Sequence, residues 1–103
     1  VSEYERLHPA AHALTLFRVL PNGEGRCYTA TTFPRSPLAG CERLVGMARK
    51  VGWIADCDDS YGLLEVLDEN GDILADYDIP NARAFSALKK KLNIVVEERE
   101  ERV

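Results

Sequence analysis

Two histidines, three cysteines and an unusual density of aspartates are the side chains in this sequence whose types and spacing could do chemistry. His8 and His12 stand four apart, the spacing that sets two imidazoles on one side of a helical turn around a metal ion. Pro9 lies between them, removing a backbone donor and disfavouring helix at His8, and no second ligand pair follows. Two surface histidines are therefore the expectation. Asp56, Asp58 and Ser60 alternate as the first ligands of a calcium loop would. Such a loop needs a glycine at its sixth position and a glutamate at its twelfth; Tyr61 and Leu67 occupy those places, so a solvated acidic link is expected instead.

Cys57 sits inside that link among three carboxylates, which disfavour the thiolate a nucleophile needs. Cys41 falls on an apolar helical stripe and Cys27 opens a strand, so neither reads as reactive. No nucleophile–base motif and no phosphate loop occurs, and the sequence leans away from an enzyme, with no catalytic residue, no metal and no cofactor expected. The basic runs Arg49-Lys50 and Lys89 to Lys91 could form a cationic edge, yet each also suits the C-terminal end of a helix. Tyr28 and Tyr77 could stack on bases, but Asp68, Asp72, Asp76 and Asp78 would repel phosphate, so nucleic acid is not an expected partner.

The elements that must position these groups follow from pattern. Leu63 to Leu67 and Ile73 to Ile79 flank Asp68-Glu69-Asn70-Gly71, where Gly71 suits the positive φ of a bulged hairpin turn. Pairing Asp68 with Asp72 sets Leu67 opposite Ile73, Glu65 opposite Ala75 and Leu63 opposite Tyr77. On that register Leu63, Leu67, Ile73, Tyr77 and Ile79 face the helices. The opposite face then carries Leu64, Val66 and Leu74, rimmed by Asp76 and Asp78. These five residues are the candidate interaction surface.

Leu14 to Leu20 and Cys27 to Phe33 are strands by their β-branched and aromatic content, joined by the turn Pro21 to Gly25. Ser36-Pro37 opens a helix whose inward face is Leu38, Cys41, Leu44, Val45, Ala48 and Val51, with Gly52 as its stop. Gly40 and Gly46 weaken that helix unless a neighbour packs closely against them. Trp53-Ile54-Ala55 reads as a short strand. Asn81 caps a second helix, Ala82 to Leu92, with Phe85, Leu88 and Leu92 inward; Asn93 reads as its stop and Ile94-Val95-Val96 as a last strand.

The two halves, 14–57 and 61–97, then share one order of elements. Leu16, Val19 and Leu20 align with Leu63, Val66 and Leu67 at a constant offset, and each hairpin ends in a proline before a capped helix. The expectation is α+β: an antiparallel-rich sheet of about six strands with two helices on one face, and a possible tandem ββαβ pseudo-repeat.

Size and composition bound the function. A chain of 103 residues, 46% apolar and 29% charged, makes one domain over 1–103, with 1–13 and 98–103 as flanking segments, neither disordered nor membrane-spanning. No apolar run approaches the ~20 residues a membrane helix needs. An odd number of cysteines without metal spacing suits a reducing compartment, and a cytoplasmic protein is expected. With both helices on one face, the other is left for contact. The expected function is a small non-catalytic interaction or regulatory module docking through an apolar sheet face, onto a protein partner or a second copy as a homodimer. The alternative is an acidic inhibitor of a nucleic-acid enzyme, since strand carboxylates two residues apart lie ~7 Å from each other, near the phosphate spacing of one DNA strand.

Overall fold

The computed structural model describes residues 5–20, 25–26 and 30–101. Its centre is β1 (Ala13–Val19), an apolar and β-branched run that receives partners on both edges. On one edge lie two short stretches, β2 (Gly25–Arg26) and β3 (Thr31–Thr32); on the other lies β4 (Gly62–Leu67), followed by β5 (Ile73–Ile79). All the pairings are antiparallel, and the sheet is four strands wide.

Side chains on paired residues share a face, and here the pairing decides where the core sits. Leu14 opposes Val66 and Leu16 opposes Leu64, and none of the four is more than 1% exposed. α1 (Pro37–Lys50) brings Cys41, Leu44, Val45 and Ala48 onto that face, and α2 (Ala82–Glu101) brings Ala84, Phe85, Leu88 and Leu92. Ile54 and Ile79 complete one continuous cluster. Each large aliphatic side chain so buried contributes about 1.5–3 kcal/mol. Leu38 is half-buried as part of the stripe, but Val51, expected inward, is 53% exposed.

Local chemistry explains the helix ends. Gly52, at φ 83°, follows α1; the Trp53 N–H donates to the Ala48 carbonyl and the Gly52 N–H to that of Arg49, satisfying the last turn. Asn81 caps α2 by accepting the Ala84 N–H on Oδ1 at 2.9 Å. Ser36 occupies the N-cap of α1 with Pro37 at its start, but its side chain makes no capping bond. Gly40 is required by a close neighbour, because a methyl group there would stand 2.4 Å from Pro34 Cβ. The N-terminal segment is tied to the helix side: the Leu7 N–H donates to Glu42, and Arg49 bonds Glu5 at 2.9 Å beside Tyr77.

Four expectations are corrected. Among the described residues the sheet is four strands wide, β2 and β3 sharing one edge of β1, rather than of about six strands. Trp53 and Ile54 are bends and Ala55 is irregular, not a strand, though the Ala55 N–H does bond the Asp78 carbonyl at the edge of β5. Ile94 to Val96 continue α2, because neither Gly nor Pro interrupts the run and the β-branched preference against helix is worth only tenths of a kcal/mol per residue. Asn93 accordingly does not adopt positive φ. The pseudo-repeat is unsupported, since the halves end differently: one in a bent link, the other in continued helix. The Pro21 turn and the Cys27-Tyr28 end of the second predicted strand fall outside the described residues. Among the described residues no helix is long and apolar enough to cross a membrane.

The fifth correction is the hairpin's facing. The turn itself is as expected: Gly71 takes φ 85°, the Asp68 N–H donates to the Asp72 carbonyl, and Leu67 opposes Ile73. One step on, the register slips. Val66 opposes Ala75, leaving Leu74 as an extra residue in a bulge. Every later pair is displaced by one, so Leu64 faces Tyr77 and Gly62 faces Ile79. The bulge lets β5 turn Tyr77 and Ile79 inward while Ile73, before it, points out. Leu64 and Val66 therefore lie in the core, and Leu63, Leu67 and Ile73 belong to the other face.

Candidate interaction face

Both helices cover the Leu14, Leu16, Leu64 and Val66 side of the sheet. Strand alternation places Thr15, Phe17 and Val19 of β1, Leu63, Glu65 and Leu67 of β4, and Ile73, Asp76 and Asp78 of β5 on the other side. Read along β4, this face has three rows. Phe17 opposes Leu63 at one end, with Asp78 across from Leu63 on β5, and at the other end Leu67 lies beside Ile73, 56% exposed. Between them Thr15 opposes Glu65, and Glu65 opposes Asp76. Thr15 spends its hydroxyl on that of Thr31 at 3.0 Å, so the middle row presents two carboxylates. Partial burial first, and then Asp76, push the Glu65 carboxyl above its ordinary value.

The five residues expected to form one interaction surface are divided by the bulge. Leu64 and Val66 are fully buried and form no surface, Leu74 is half-buried in the bulge, and Asp76 and Asp78 stand on the opposite face from Leu64 and Val66. Asp78 is partly engaged, accepting the Cys57 N–H at 3.3 Å on Oδ2. The surface residues missed by the sequence are Phe17, Leu63, Leu67 and Ile73. Their β4 and β5 members differ from the expected surface by a single register step.

The other chemically suggestive groups have local roles. His8 accepts the Ala10 N–H on Nδ1 within a turn, and His12 sets its ring edge-on to Phe33 at 5.6 Å. Asp68 accepts the N–H groups of Asn70 and Asp72 at 2.8 and 3.0 Å, which builds the hairpin turn. Cys41 is buried and its thiol is pushed up to about 11, by burial first and then by Glu42. Partial burial and then Asp78, with the other link aspartates behind it, raise the Cys57 thiol as well, leaving both protonated at neutral pH. Burial, and then Glu5, push the Tyr77 hydroxyl up to about 12. Among the described residues no three His, Cys, Asp or Glu side chains converge on a metal-sized centre, and Cys27 lies outside them. No protein-family model matches this chain, and no curated protein or solved structure is detectably similar to it.

Proposed function

We propose that this chain is a non-catalytic protein-interaction module that docks a partner on the open face of its sheet, and that the partner presents a basic side chain between apolar ones. The observation that carries this reading is the pairing of Glu65 with Asp76 between the apolar pairs Phe17–Leu63 and Leu67–Ile73. Like charges directly opposite in a sheet are unfavourable, and here one of them is partly buried with a raised pKa. A Lys or Arg laid between them neutralises both, while Phe17 with Leu63 and Leu67 with Ile73 bury apolar groups on either side.

A second copy of the chain fits this face less well. No Lys or Arg stands on it among the described strand residues, so face-to-face pairing would set carboxylates against carboxylates. The reading as an acidic nucleic-acid mimic is also weakened, because Asp68 is occupied in its turn and Asp78 bonds the Cys57 amide. Selection from a displayed library of random peptides tests the proposal. Enriched peptides should carry Lys or Arg two positions from apolar residues on both sides. Their affinity should fall about tenfold or more in Glu65→Lys, as for a lost charge pair at an interface. Enrichment without basic residues, or binding indifferent to both Glu65→Lys and Ile73→Asp, would refute it.

A further inference from the structure

On the helix side of the sheet a cleft of about 460 Å³ opens where the first turn of α1 meets the edge of the sheet and α2. Its charged walls are Arg35, Arg43 and Lys91, and no carboxylate lines it among the described residues, although the whole chain carries a net charge of −4. Leu14 and Leu44 contribute apolar surface. Ser36, Ala39 and Gly40 bring the start of a 14-residue helix to the same cleft. That start has no side-chain cap, no acidic residue in its first turn and, at Pro37, no N–H; the Gly40 N–H closes onto the Ser36 carbonyl, which leaves the Leu38 and Ala39 N–H groups without an intrahelical acceptor at the positive end of the helix.

Thr32 adds an independent observation. It also lines the cleft, is only 1% exposed, and its hydroxyl has no hydrogen-bond partner. Among the described residues one other buried side-chain polar atom is unsatisfied, Nε of Arg18, and that guanidinium lies 3.8 Å over the Tyr61 ring. Thr32 has no such compensation. A buried donor is seldom left without an acceptor, and this one lies in a cleft lined by cations and a helix start.

We infer that the cleft binds a small organic oxyanion, a phosphate or carboxylate group carried on an apolar body. The head group accepts from the Thr32 hydroxyl and the first free amides of α1, between Arg35 and Lys91, and the apolar body lies against Leu14 and Leu44. This site is on the opposite side of the sheet from the docking face and stands independently of it. Its lining is ready for an anion without a phosphate loop, because the helix start is uncapped and the hydroxyl is already desolvated.

Amide shifts of the isotopically labelled protein at low salt, titrated in turn with inorganic phosphate, phenyl phosphate and benzoate, test the inference. Saturable shifts are expected at Thr32, Leu38, Ala39 and Gly40. The organic anions should bind more tightly than inorganic phosphate, and their order identifies the head group. Thr32→Val keeps the shape and removes the hydroxyl, so it should weaken binding roughly tenfold while the melting temperature holds or rises. Arg35→Glu, a surface change, should abolish binding with the fold intact. The inference fails if no probe gives saturable shifts by roughly 10 mM, the weak limit for a specific small-molecule site. It fails equally if binding survives both Thr32→Val and Arg35→Glu.

Discussion

Glu65 is pulled two ways by its surroundings. It needs water for its charge, yet its place in the middle of the sheet removes part of that water and sets Asp76 opposite it. Both effects raise its pKa in the folded state above that of the unfolded chain. The folded protein then binds more protons than the unfolded one as pH rises through the carboxylate range, so the group's contribution to stability is present at low pH and lost above its folded-state pKa. Glu65→Gln should therefore melt higher than the parent at neutral pH, with the advantage gone below about pH 3, where both states carry the protonated acid. Thermal melts at the two pH values check this, and a parent more stable than the variant at neutral pH would contradict it. That Glu65 lies on a strand was legible in the sequence. Its partner was not, because that depends on the bulge at Leu74.

At the scale of elements, several signals carried by single residues were legible, though not the Asn93 stop or the Ser36 side-chain cap, and signals spread over a strand were not. Gly52 stops α1 and Asn81 caps α2, because left-handed φ and a side-chain acceptor are properties of single residues. Asn81→Ala should cost about 1 kcal/mol in chemical denaturation, the usual worth of an N-cap. Ile94 to Val96 could not be assigned by type, since a short β-branched run suits strand or buried helix alike. The central hairpin shows the same limit more sharply. Its turn was legible from Asn70-Gly71, but one extra residue beyond it reversed which face of β4 is buried. Leu14 and Leu16 settle the matter by pairing with Val66 and Leu64, a long-range relation. Leu64→Ala should cost about 2–5 kcal/mol, whereas Ile73→Ser should stay within about 0.5 kcal/mol of the parent. Equal losses at the two positions would overturn the assignment of faces.

At the scale of the whole molecule, two helices and one sheet make two layers, and among the described residues one sheet face remains without a helix. That consequence was legible from counting apolar stripes, because two helices supply enough to cover one side of a sheet and not two. The residues on the uncovered side were not legible, for the reason just given. On this face the Glu65–Asp76 pair lies between Phe17–Leu63 and Leu67–Ile73, and a partner with the complementary order of apolar and basic residues is proposed to dock there. The direct measurement is a titration of the labelled protein with a short peptide alternating Leu and Lys, followed by amide shifts. Saturating changes should appear at Phe17, Leu63, Glu65, Leu67 and Ile73, leave Val45 and Leu88 unmoved, and vanish in Glu65→Lys. Shifts concentrated on α1 and α2, or a response that persists in Glu65→Lys, would contradict docking on this face.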